Sequence, residues 1–126
     1  MLSYQLEAIH KETKEFNVQL ELMSQECIYM KDRLTSLLNL FNASFIIEWA
    51  EYFQNQIIMK EEDIELIKFD LHHLEMLIIN HNQVENINDT VLNLQIQVLE
   101  KISFLENDCM KMKQAFHEFI GTHLLQ

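Results

Sequence analysis

The chain has 126 residues, of which 48% are hydrophobic, and it contains one glycine and no proline. Because Gly and Pro most often end helices and form tight turns, this composition argues against turn-rich folds and predicts an all-α protein in one domain, residues 1–126. The formal net charge of −11 argues against nucleic acid and anionic membrane surfaces as partners, since both are bound mainly through Lys and Arg.

The first predicted helix, about residues 3–41, carries core-type residues on one face in a 3-4 alternation, and we call this line of residues the seam. In the first helix the seam consists of Leu2, Leu6, Ile9, Thr13, Phe16, Leu20, Met23, Cys27, Met30, Leu34, Leu37 and Phe41. A spacing that averages 3.5 residues keeps one face against a partner only when the helices supercoil left-handedly, so the pattern predicts a coiled coil. Ser3 is the expected N-cap of this helix.

The segment NLFNAS at 39–44 is the first plausible break in the helix. Its two Asn residues and its Ser can hydrogen-bond to nearby backbone and so compete with helical pairing. These residues alone do not exclude a continuous helix. A turn is favoured because an unbroken helix of ~80 residues would extend ~120 Å without a partner, whereas folding back buries the seam within one chain.

The second and third helices repeat the seam spacing. The second, about residues 44–80, has a seam made of Ile46, Ala50, Phe53, Ile57, Lys60, Ile64, Ile67, Leu71, Leu74, Ile78 and His81. The third, about residues 89–120, follows an Asn-rich turn, with Asp89 as its N-cap and Gly121 as a left-handed C-cap. Its seam is Val91, Leu94, Val98, Ile102, Leu105, Cys109, Met112, Phe116 and Ile120. The sequence therefore predicts an elongated, antiparallel three-helix coiled-coil bundle.

The second helix is also apolar on the side opposite its seam, at heptad positions b, c and f when the seam takes a and d. We call this set the outer stripe, and it consists of Phe45, Tyr52, Ile58, Met59, Leu66, Phe69, Met76 and Ile79. The outer face of the third helix is mostly polar, and the first helix has a shorter apolar set at Val18, Leu22, Ile28 and Tyr29. Since bundle neighbours cover only one broad side of a helix, the outer stripe is predicted to bind a second copy or another helical protein. The alternative is that the assigned register is off by a residue or two.

A metal site is the other functional hypothesis. Glu7 and His10 have the Glu-x-x-His spacing that carboxylate-bridged di-iron bundles use. If the chain folds back near residue 42, residue numbers at equal height add up to about 85, which brings this pair level with Glu75 and near His73. Such sites need converging ligands that face inward, and His73 falls on the outside of its helix. Solvated histidines are therefore the favoured interpretation, and no cofactor is predicted.

The sequence lacks the motifs of common catalytic sites, since it has no Gly-rich loop and no Gly-x-Ser-x-Gly. Cys27 and Cys109 take seam positions, where inert core packing is favoured over a reactive thiol or a disulfide. No stretch approaches the ~20 apolar residues of a membrane-spanning helix, and the N-terminal MLSYQLEA lacks the features of a secretion signal. We therefore expect a non-enzymatic cytoplasmic protein.

Two stretches, IHKETKEF at 9–16 and EYFQNQII at 51–58, resemble segments of small uncharacterised all-helical coiled-coil proteins of Bacteroidetes-type bacteria. The resemblance covers these stretches and the helical pattern of the chain. It implies a cytoplasmic helical bundle and carries over no activity and no site residue. The leading expectation from the residues is a homo-oligomer, a dimer formed through the outer stripe.

Overall fold

A computed structural model describes residues 4–81 and 87–123 of the chain. It contains three α-helices, α1 (Tyr4–Leu40), α2 (Ser44–Ile79) and α3 (Ile87–His123), which pack against one another. The prediction of an all-α three-helix bundle is confirmed. None of the helices in the described part is both long enough and apolar enough to cross a membrane.

Polar contacts between the helices establish their directions. Asn17 contacts Glu75 and Lys31 contacts Glu61, so α1 and α2 are antiparallel, because the partner's number falls as the first number rises. The α2–α3 pairs Lys60–Asp108 and Asp70–Lys101 are also antiparallel, whereas the α1–α3 pairs Glu12–Gln95, Gln19–Glu106 and Glu26–Lys113 are parallel. The chain therefore runs up, down and up along the bundle.

The predicted seams form the core. Every seam residue of α1 from Leu6 to Leu37 and of α2 from Ile46 to Ile78 is buried. The two polar members of the core have partners. The Thr13 hydroxyl donates to the Ile9 carbonyl at 2.8 Å, and the Lys60 Nζ lies 3.3 Å from the Asp108 carboxylate. Such pairing lowers the cost of placing polar groups in an apolar interior.

The turn between α1 and α2 lies where the Asn-containing segment predicted it, at residues 41–43. Ala43 is extended, with φ −66° and ψ 138°, and its carbonyl accepts from the amides of Ile46 and Ile47. The backbone thus satisfies the first helical amides of α2 without a side-chain cap. The predicted cap Ser3 and most of the Asn-rich turn after α2 lie outside the described residues.

Both predicted caps of α3 are wrong. The helix begins at Ile87, which places Asp89 in the first turn instead of at the N-cap, and it continues through Gly121 to His123. Apolar contacts extend the helix at both ends. Ile87 packs against the core, and the His123 ring lies 5.4 Å from that of buried Phe119. The carboxylate of Asp89 still lies near the positive end of the helix, where it is favourable.

Candidate interaction surface on the middle helix

All eight residues of the outer stripe of α2 are exposed, which answers the question of register left open by the sequence. Their exposed fractions range from 41% for Ile58 and Met76 to 72% for Phe69. The seam residues of the same helix are at most 8% exposed. Since a register error of one or two residues would have mixed buried and exposed positions, the assignment to positions b, c and f holds.

The helix geometry explains why neither neighbour covers the outer stripe. On one side, Glu61 and Glu75 at heptad position e contact Lys31 and Asn17 of α1. On the other side, Asp70 at position g contacts α3. Positions b, f and c lie between e and g on the side away from both neighbours. The outer stripe is therefore a solvent-facing surface bordered by polar contacts on either side.

An aromatic cluster widens the surface at the start of α2. Trp49 is 45% exposed, and its ring centroid lies 5.7 Å from that of Tyr52 and 5.7 Å from that of Phe119 on α3. Phe45 makes a T-shaped contact with His123 at 5.7 Å. The heptad pattern did not single out Trp49, because position g is expected to be polar. Its signal was its residue type, since Trp and Tyr are enriched at protein interfaces.

A groove between α2 and α3 continues the surface near its middle. It is a shallow cavity of about 300 Å³, and Leu66 of α2 and Phe104 of α3 line it with 66% and 69% of their surfaces exposed. The Asp70–Lys101 ion pair, at 2.8 Å, lines the same groove. The groove has room for one inserted side chain from a partner and lacks the enclosure typical of a small-molecule site.

Other exposed apolar residues occur on α1 and α3. The four α1 residues expected on its outer face are 49–62% exposed. The largely polar outer face expected for α3 is interrupted by a set of exposed large residues: Leu92, Ile96, Leu99, Phe104 and Met110. Among the described residues, α2 still carries the most exposed large apolar side chains, ten against seven on α1, and its outer stripe runs from Phe45 near the start of the helix to Ile79 at its last residue.

Among the described residues, the candidate metal ligands do not converge into a cluster. Glu75 accepts a hydrogen bond from Asn17 at 2.8 Å, whereas the predicted register placed Asn17 level with residue 68, one heptad away. His10 is consequently not level with Glu75, while Glu7 and His73 are exposed. Within 4–81 and 87–123 there is no group of three or more His, Cys, Asp and Glu that could hold a metal ion.

Side-chain direction accounts for part of the error in register, which is seven residues or about 10 Å along the helix axis. Side chains of an α-helix lean toward its N-terminus, so those of α2 lean toward the turn and those of α1 lean away from it. Side chains that meet across the two helices therefore start from backbone positions at different heights. Counting residues from the turn, as the sequence prediction did, ignores this offset.

The two cysteines lie in the core, as predicted, and both are free and buried. Burial raises the pKa of the Cys27 thiol to about 12 and that of Cys109 to about 11, because the interior disfavours a thiolate. Lys60 opposes this effect at Cys109. Since the thiolate is the reactive form, these side chains are poor nucleophiles at neutral pH.

Comparison of the chain with protein-family models, curated proteins and solved structures finds no match. The resemblance of residues 9–16 and 51–58 to bacterial helical proteins therefore stays a prediction. The features of the surface that bear on function are its length, its exposed apolar area and the polar contacts along its edges.

Proposed function

We propose that this protein is a non-enzymatic helical bundle that acts through protein–protein contact and self-associates through the outer stripe of α2. One observation carries the proposal, namely that eight large apolar side chains along one face of α2 are each 41–72% exposed. The outward face of a helix in a monomeric bundle is normally polar. A long series of large, exposed apolar side chains on one face of a surface helix is typical of a site that another protein covers.

The area of the outer stripe suits a dimer. With ~200 Å² as the full accessible area of a large apolar side chain, the exposed fractions give the stripe about 870 Å². The largest apolar patch on a typical monomer is about 300–600 Å². A standard protein interface buries about 800 Å² on each partner. The outer stripe alone therefore supplies one side of an interface of standard size.

The distribution of polar groups also supports this proposal. Stable interfaces combine an apolar centre with a polar rim, and here the rim is formed by the contacts of Glu61 and Glu75 with α1 and of Asp70 with α3. A second copy presents the same patch, so one surface serves both partners in a closed two-fold dimer. We place this dimer in the cytoplasm, where free thiols such as Cys27 and Cys109 stay reduced.

The test measures mass in solution by light scattering across micromolar concentrations. The wild-type protein should be a dimer, and Tyr52→Glu combined with Leu66→Glu should give a monomer with unchanged helix content, because both side chains are more than half exposed. The matched control is Tyr29→Glu combined with Leu22→Glu on α1, where the same residue types are 55% and 57% exposed. The control protein should remain a dimer.

Two results would contradict the proposal. A wild-type protein that is monomeric at every concentration would refute self-association, and loss of the dimer in the α1 control would refute the assignment of the interface to α2.

Metal binding through His10 and His73 is the weaker alternative. Elemental analysis of the purified protein that found a stoichiometric transition metal would favour it.

A further inference from the structure

The proposed dimer can be given an orientation. Resting on the proposed function, we infer that two copies pack their α2 helices antiparallel, with the two-fold axis passing beside Glu62. Glu62 is exposed and takes position f, the middle of the outward face, between Met59 and Leu66 of the outer stripe. The partner is thus a second copy of this chain in one specific register.

Four of the eight positions of the outer stripe form pairs about residue 62, and the other four fall opposite polar residues. Phe45 and Ile79, its first and last members, are equally far from residue 62 along the helix, and so are Ile58 and Leu66. An antiparallel two-fold axis at this point brings Phe45 against the partner copy's position 79 and Ile58 against its position 66. Both contacts occur twice in an isologous dimer. Each of these four side chains is 41–66% exposed in the single chain.

Charges on the outward face also favour the antiparallel arrangement. Up to Leu66, the outward positions of α2 expose Glu48, Glu51, Glu62 and Glu65, whereas beyond Leu66 they hold His72, His73 and apolar residues but no acid. Parallel packing in register would place each of these four glutamates beside its counterpart in the other copy, which is unfavourable in a chain of net charge −11, whereas antiparallel packing about residue 62 does so for Glu62 alone. Antiparallel packing places Glu51 opposite position 73 of the other copy, where a histidine can donate a hydrogen bond.

Helix dipoles add to this preference. Each helix carries partial positive charge at its N-terminus and partial negative charge at its C-terminus. In the antiparallel dimer, the start of one α2 at Ser44 lies beside the end of the other at Ile79. Opposite partial charges are therefore adjacent at both ends of the interface.

Cysteine cross-linking tests the orientation in the full-length protein. Both native cysteines are buried, so a cysteine introduced on the outer face reports on its own position. With diamide as the oxidant, two thiols lose two protons and two electrons to the diazene bond and form one disulfide. We expect Glu62→Cys to form a linked dimer by itself, and Phe45→Cys to link only when it is mixed with Ile79→Cys.

The control for cross-linking is Leu22→Cys on α1, an exposed apolar position outside the interface. The linked fraction of Glu62→Cys should exceed that of this control by roughly ten-fold or more, because the two-fold axis holds the thiols at high effective concentration. In a parallel dimer, Phe45→Cys would link with itself and Ile79→Cys would link with itself, and the two variants would not link with each other. That result would overturn the inference. In that case the proposed function would still stand.

A charge variant gives an independent test by light scattering. In the antiparallel dimer, Glu51→Gln removes an acid that faces a histidine, so the dimer dissociation constant should stay the same or rise. In a parallel dimer the same change removes repulsion between two glutamates, and the dissociation constant should fall. A monomeric wild-type protein, with no cross-linking at any position, would instead refute the proposed function.

Discussion

Replacing Lys60 with methionine should stabilise the bundle. Lys60 takes a seam position of α2 between Ile57 and Ile64, and it is only 8% exposed. Its side chain is 11% exposed, and its Nζ lies 3.3 Å from Asp108 Oδ2, which is at the long end of hydrogen-bond distances. Methionine has a similar length and flexibility and can fill the same space without a charge.

The expected gain follows from two opposing contributions. A buried ammonium group costs several kcal/mol in lost hydration, and an apolar replacement of a buried ion pair ranges from neutral to ~4 kcal/mol stabilising. The gain here should be smaller, because Asp108 is 32% exposed and so both the desolvation and the attraction are partly screened. Asp108 also keeps a cation nearby, since Lys111 lines the same groove. We expect about 1–2 kcal/mol of stabilisation.

Urea denaturation followed by circular dichroism measures this effect, at one fixed protein concentration because dimerisation contributes to stability. The thermal midpoint should rise by about 3–10 °C. The paired variant Asp108→Asn leaves Lys60 charged without its counter-ion, and it should destabilise the protein by ~1 kcal/mol or more. A Lys60→Met protein less stable than wild type would refute the reasoning, since the attraction would then exceed the cost of burial.

Two further predictions concern the thiols and the end of α3. Because burial raises their pKa values to about 12 and about 11, Cys27 and Cys109 should react with a disulfide reagent at neutral pH only after unfolding. Unfolded thiols ionise near pH 9, so the free energy of unfolding should fall as the pH rises from 9 toward 11–12, and replacing both with alanine should reduce that fall. Rapid labelling of the folded protein would contradict this. Gly121→Ala should stabilise the chain by up to ~1 kcal/mol in urea, since the site is helical and an added Cβ meets nothing within 4 Å; a loss of stability would indicate a non-helical site.

Features that repeat along the chain could be predicted from the sequence. The 3-4 spacing identified the buried positions of α1 and α2, including the polar exceptions Thr13 and Lys60, and it also identified the exposed outer stripe. The two asparagines near residue 42 located the turn. These features depend on local composition and on helical periodicity, which one sequence contains in full.

Features that depend on neighbouring helices could not be predicted in the same way. A seam shifted by seven residues has the same pattern, so the spacing could not place Asn17 against Glu75. A glycine near the end of a helix usually caps it, but α3 continues through Gly121 to His123, whose ring contacts Phe45 of α2. The contribution of Trp49 to the surface depends on Phe119 of α3, far away in the sequence.

The up, down and up course of the chain has a mechanical consequence. Tyr4 and His123, the first residue of α1 and the last residue of α3, lie at opposite ends of the bundle, about 55 Å apart for helices of this length. A force that pulls on these two residues acts along the helix axes, so it loads the helix interfaces in shear. The buried layers along α1, α2 and α3 then resist the force together instead of separating one at a time. Separating the helices under such a load therefore requires many buried side chains to slide past one another at once.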